Sequence, residues 1–139
     1  MNLPLATRTG RLDGLRILVV DDEDGARDVL RSVLESEGAV VFAASSAAAA
    51  WQEIERSVPD LALVDLSMPI VNGFTFLEQL RSRPAEAGGL VPAAAITGYL
   101  SAEDRARALQ VGFQAYLVKP VDLDDLIAAV IMLAGITGR

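Results

Sequence analysis

Five short apolar runs, continuous rather than alternating, constrain this 139-residue chain more than any other feature. They are Leu15 to Val20, Ala39 to Ala43, Leu61 to Val64, Leu90 to Ile96 and Gln114 to Val118. Short runs rich in Val, Ile and Leu read as strands, and unbroken hydrophobicity implies burial on both faces. Between them the apolar period becomes that of a helix. Val29, Leu30, Val33 and Leu34 share one face ahead of Gly38, a residue suited to end a helix. Ser45 or Ser46 can cap a helix carrying Ala47 to Ala50, Trp51 and Ile54, which Pro59 terminates. Asn72-Gly73 leads into a helix through Phe76, Leu77 and Leu80, and Arg83 to Gly89 reads as a plain connection. Ser101 caps a helix through Arg105 and Leu109 that closes at Gly112. The last helix opens at Asp122, with Asp125 in a capping-box-like position and Leu126, Ile127, Val130 and Ile131 on its buried side.

Alternating strands and helices, with strands buried on both faces, give an α/β fold: a (βα)5, doubly wound, five-stranded parallel sheet between helical layers. The expected organisation is an arm over 1–14, one domain over 15–135 and a short tail over 136–139. A chain of this length buries about two-thirds of its unfolded surface, so its core needs no staple. With no cysteine, disulfides, zinc fingers, iron–sulfur sites and thiol nucleophiles are excluded; with no histidine, so are Ser-His-Asp catalysis and a phosphohistidine carried on this chain. A net charge of −7 is a poor match for a nucleic-acid backbone. No apolar run approaches the roughly 18 residues a membrane span needs, and the N-terminus has no continuous signal-like segment. A soluble, cytoplasmic protein without membrane contact is expected.

In an open parallel sheet, ligands bind beyond the carboxyl ends of the strands. The first strand ends in Asp21-Asp22-Glu23, the third in Asp65, the fourth in Thr97 and the fifth in Lys119, whereas the second offers only Ala44-Ser45. In the strand order 2-1-3-4-5 the four polar ends are contiguous. Carboxylates gathered on one rim repel one another unless a cation sits among them, and an all-oxygen donor set suits a hard divalent ion, Mg2+ above all. A carboxylate beside a metal, a lysine and a threonine hydroxyl can accept a phosphoryl group. Each of these residues alone has a plainer role as cap, turn or surface charge. Their convergence at adjacent strand ends, with the remaining end blank, favours the chemistry.

The same residues carry a resemblance. Ile17 to Glu23, Pro59 to Asp65, Met68-Pro69 with Asn72-Gly73, Ala95 to Gly98, and Gly112 through Tyr116 to Lys119-Pro120 stand in order at fitting intervals. Over about residues 15 to 135 the chain is similar to the response regulator receiver domains of two-component signal transduction, the CheY-like superfamily with its flavodoxin-like sheet. The resemblance implies a phosphoacceptor, Asp65, that catalyses its own phosphorylation and dephosphorylation and is no conventional enzyme. It further implies Mg2+ held by Asp22, Asp21, Asp65 and the Ser67 backbone carbonyl, and a phosphate-contacting Lys119. Thr97 and Tyr116 are then the switch pair, Ser67 and Tyr99 the residues tuning phosphoryl lifetime, and Lys119-Pro120 a cis peptide. Asn72 stands where the family often has Asp, and either suits the turn.

Implied partners are a histidine kinase or histidine phosphotransfer protein and a downstream target that reads the fourth helix, fifth strand and fifth helix, about Ser101 to Val111 and Gln114 to Leu133. The chain ends soon after the fifth helix, so no attached effector is expected. A free-standing regulator, a phosphorelay shuttle and a receiver from a hybrid sensor kinase all fit. The alternative from another class is a haloacid-dehalogenase-type phosphatase with Asp22 as nucleophile and Asp24 as general acid, suggested by Asp22-Glu23-Asp24-Gly25. It leaves Asp65 without a role, and Ala26 stands where that family has Thr or Val. A nucleotide-binding enzyme would need a glycine-rich loop after the first strand, where this chain is acidic.

Overall fold

A computed structural model of the chain describes residues 10–98 and 101–136. Its elements run β1 (Arg16–Val20), α1 (Asp24–Ser36), β2 (Val40–Ala44), α2 (Ala47–Arg56), β3 (Leu61–Asp65), α3 (Gly73–Arg81), β4 (Ala93–Thr97), α4 (Ala102–Val111), β5 (Ala115–Val118) and α5 (Leu123–Ile136). The strands form one parallel sheet in the order β2-β1-β3-β4-β5, as the alternating pattern predicts. β1, β3 and β4 are buried almost throughout, which is why their sequences do not alternate.

Each sheet face has its own core. On one, Leu18, Val20, Ala62 and Val64 pack under α2, α3 and α4, with Phe76, Leu77 and Leu80 as the main contribution of α3. On the other, Ile17, Val19, Leu61 and Leu63 pack under α1 and α5, against Leu30, Leu34, Leu126 and Val130. Ser46, Asn72, Ser101 and Asp122 cap the helices that follow them, their side-chain oxygens accepting from Ala49 N, Thr75 N, Asp104 N and Asp125 N at 3.0–3.1 Å. Each such cap is worth about 1 kcal/mol. Gly112 ends α4 at φ +110, a conformation L side chains rarely adopt.

Three sequence expectations shift. The fourth strand begins at Ala93 rather than Leu90, because Pro92 has no N–H to enter the ladder and Leu90 is exposed. On α5, Ile131 turns out to solvent; the buried stripe instead runs through Leu126, Ile127, Val130, Leu133 and Ala134. The connection after α3 contains a 3-10 turn over Ala85–Ala87.

Two features outside the regular elements tie the molecule together. Leu12, ahead of β1, is fully buried in the α1/α5-side core, while Leu12 N and Gly14 N donate to Glu37 O and Gly38 O at 2.9 and 3.0 Å. Arg11 forks onto the Glu37 carboxylate at 3.1 and 3.0 Å. At the far side, Arg81 at the end of α3 donates to Gly112 O (3.2 and 2.8 Å) and to Gly89 O (3.1 Å), clamping the carbonyl end of α4. No helix among the described residues is long and apolar enough to cross a membrane.

Candidate functional site

The parallel register brings the strand ends together. Val20 pairs with Val64, so Asp21 stands level with Asp65; Asp65 pairs with Ile96 and Thr97 with Val118, so Thr97 and then Lys119 follow in steps across the rim. Hydrogen bonds beyond the strands continue the ladder: Asp21 N donates to Ala44 O, Leu66 N to Ile96 O and Lys119 N to Thr97 O, at 3.1, 2.9 and 2.7 Å. The Asp21, Asp65, Thr97 and Lys119 side chains therefore hang from backbone held by the hydrogen bonds of the sheet.

Asp21, Asp22 and Asp65 each offer a carboxylate oxygen, and these three lie within 4.8 Å of one another. Asp21 and Asp65 are buried and Asp22 is exposed. Lys119 Nζ stands 3.1 Å from Asp21 Oδ2 and 3.6 Å from Asp65 Oδ2, with the exposed Glu23 carboxylate 3.9 Å away. Asp21 Oδ1 accepts from Glu23 N at 2.9 Å and Asp65 Oδ1 from Ser67 N at 3.0 Å. The remaining Asp21 oxygen, Oδ2, is buried and receives no hydrogen bond, the ammonium lying close but off a bonding direction. A buried carboxylate oxygen without a donor is costly and invites a cation.

Burial is the main cause that pushes the Asp65 pKa above its ordinary value. The Asp21 charge and the Asp22 hydrogen bond act the same way, against Ser67 N–H and Lys119. Burial opposes the charge on Lys119, but the close Asp21 carboxylate, with the charges of Asp65 and Glu23, raises its pKa overall. Lys119 and Asp65 each favour the other's charged form, although burial keeps the Asp65 pKa raised on balance.

The donor set fits a hard cation. Oxygen ligands alone are present, one of them already orphaned, and three carboxylates meet one ammonium, so negative charge remains in excess. Thr97 is buried on the same rim at the end of β4. Tyr116 lies further from the acids, half-buried on β5 with the Arg105 guanidinium 4.5 Å above its ring. The Lys119–Pro120 peptide is cis. Tyr99 lies outside the described residues.

The β3–α3 loop is built close to the acid. A Cβ on Gly73 would come within 2.4 Å of Asp65 O, so only glycine lets α3 start there. Asp24, the acid of the phosphatase alternative, is not in the cluster; its carboxylate is exposed and pairs with Arg27 at 2.6 Å. Sequence reasoning missed Arg27, whose Nη1 donates to Asp21 O at 2.8 Å. Its spacing of three from Asp24, on the first turn after an acidic loop, was the available signal.

Beside the cluster, Gly25, Ala26, Val29, Leu30, Ile96, Pro120, Val121 and Leu123 line an apolar groove of about 520 Å³ that shares Glu23 and Lys119 with the site.

Residues 17–131 match the family model described as response regulator receiver domain. A protein of Leptolyngbya boryana, described as an uncharacterized 14.6 kDa protein in the sodA1 3′ region, is 46% identical over 114 residues, covering 82% of this chain and 86% of its own. Response regulator Rre1 of Synechocystis is 35% identical over 117 residues, and there the match covers 84% of this chain but only 50% of the relative. The crystal structure of a CheY-like response regulator receiver domain protein from Methanospirillum hungatei superposes with a TM-score of 0.80 at 31% identity, covering 91% of this chain and 98% of the other. Strand order, convergent strand ends and these likenesses agree, and the chain belongs to the response regulator receiver domain family of two-component signalling.

Proposed function

We propose that the chain is a phosphoacceptor, taking a phosphoryl group from a histidine kinase or histidine phosphotransfer protein onto Asp65. The observation that carries this is the meeting of Asp21, Asp22 and Asp65 around a buried, unbonded Asp21 oxygen, with Lys119 at its edge. Held by the three carboxylates and the Ser67 carbonyl, Mg2+ would offset negative charge on the incoming phosphoryl group. Asp65 supplies the attacking carboxylate oxygen; the phosphorus–nitrogen bond to the donor imidazole breaks and the nitrogen keeps the electron pair. Lys119 Nζ, 3.6 Å from Asp65 Oδ2, can contact a phosphoryl oxygen and offset the charge spread over the equatorial oxygens in the transition state.

Thr97 at the next strand end supplies a hydroxyl to that phosphoryl group, and Tyr116 answers its displacement on the face formed by α4, β5 and α5. Two packings separated by a few kcal/mol suffice for such a signal. Ser67 and Tyr99, each two residues beyond Asp65 and Thr97 in the sequence, are the residues assigned to tuning the lifetime of the acyl phosphate. The apolar groove between α1 and the segment after β5 opens onto the cluster, so a donor protein resting there brings its phosphoryl group to Asp65. The domain is assigned to residues 15–135, with Leu12 of the preceding arm completing its core, and its setting is the cytoplasm.

Acetyl phosphate with Mg2+ tests this reading. The expected product is a labile mass increase of one phosphoryl group on Asp65, absent in Asp65→Asn and reduced in Asp22→Ala. Label persisting in Asp65→Asn and mapping to Asp22 would overturn it in favour of phosphatase chemistry.

A further inference from the structure

Arg27 has an unusual position for a helix-surface arginine. Its side chain is only 17% exposed, and its fork is divided between the exposed Asp24 carboxylate and the backbone carbonyl of Asp21. We infer that Arg27 is a positioning residue for the acidic site, acting through the Asp21–Asp22 peptide. The inference rests on the reading of Asp21, Asp22 and Asp65 as a cation site.

The argument is one of rigid geometry. Asp21 is fixed on every side: its N–H bonds Ala44 O, its Oδ1 accepts from Glu23 N, and its carbonyl accepts from Arg27. Asp22, the exposed member of the cluster, has to bring its carboxylate to the buried pair from a turn outside the sheet. A peptide unit is planar, so pinning the Asp21 carbonyl also fixes the direction in which the Asp22 N–Cα bond leaves. Arg27 thereby sets where the Asp22 side chain starts, without touching it. The fork explains the residue type, because a guanidinium serves the carbonyl and Asp24 together where an ammonium is a point donor.

Two other roles make different predictions. A cation acting only by its charge would repel a divalent ion, and its loss would tighten binding. A partner for Asp24 alone would leave cation binding unchanged, as exposed pairs one helical turn apart contribute only a few tenths of a kcal/mol.

Titration of the full chain with MgCl2, followed by the amide resonances of Glu23 and Ser67, separates them. The wild-type protein and Asp22→Ala test the cation site itself: absence of saturable shifts in the wild type, or equal affinity in Asp22→Ala, overturns the site reading whatever Arg27 does. With that site present, Arg27→Met is expected to raise the magnesium Kd about tenfold, the scale on which partners behind metal ligands act. It should also move the Asp21 carbonyl carbon shift before any metal is added. Arg27→Lys, which can still donate to the carbonyl, recovers most of the affinity and of that shift. Arg27→Gln carries the same expectation as Arg27→Met if the latter does not fold. Magnesium affinity equal to or tighter than wild type in the neutral variants, or a lysine variant as weak as they are, overturns the role of the carbonyl contact.

Discussion

Asp65 illustrates how a side chain placed for chemistry burdens its own fold. Its pKa is raised by folding, chiefly by burial, so the ionised form is less favourable in the folded protein than in the unfolded chain. A raised carboxyl stabilises below its unfolded value and loses that contribution as pH rises through the folded value. The penalty is therefore larger at neutral pH than near the unfolded value. Asp65→Asn is expected to raise the urea midpoint of the metal-free protein at pH 7, with a smaller gain near pH 4 and in saturating Mg2+. A neutral-pH midpoint below wild type would show that Asp65 repays its burial through Lys119 even without metal. Asp65 and Lys119 were legible in the sequence because each is a charge set against the end of an apolar run. Arg27 and Gly73 were harder to read. Both act on backbone, the first on the Asp21 carbonyl and the second by leaving room for the Asp65 carbonyl, and no side-chain pattern records where a backbone will pass.

Among the elements, α4 is attached differently from its neighbours. α3 buries Phe74, Phe76, Leu77 and Leu80, whereas α4 buries only Ala108. Two arginines make up part of the difference: Arg105 lies 4.5 Å above the Tyr116 ring, and Arg107 lies 4.3 Å above Phe74. Guanidinium–ring contacts of this kind contribute roughly 0.5–1 kcal/mol each at exposed sites, less than a buried Leu. α4 should therefore open at lower free energy than α3, with faster amide exchange across 105–111 than across 76–81. Arg105→Ala should widen that gap and shift the Tyr116 ring resonances, leaving exchange in α3 unchanged. Equal exchange in the two helices would contradict this account. The helix was readable from Ser101 and Gly112, but its weak hold was not, since Leu109, which looks like a core residue, faces solvent.

At the scale of the whole molecule, the chain ahead of β1 belongs to the core. Leu12→Ala is expected to cost about 2–5 kcal/mol, as for other fully buried leucines, read as a fall in the thermal midpoint. A loss under 1 kcal/mol would mean the core on that face closes without it. This part of the fold was invisible beforehand because one leucine between Arg11 and Asp13 has no period to reveal it, whereas the (βα)5 order was carried by a rhythm repeated along the whole domain. Pro92 and the turned stripe of α5 moved only boundaries and faces, leaving the order of the strands intact. The Arg81 clamp has a mechanical consequence for the molecule as a whole. With its carbonyl end gripped at Gly112 and little apolar anchorage elsewhere, α4 is a cantilever whose fulcrum is at Gly112 and whose opposite tip follows the Thr97 strand end in the chain. Ten residues make a beam of about 15 Å, so a tilt of roughly 4° at the fulcrum carries the tip about 1 Å.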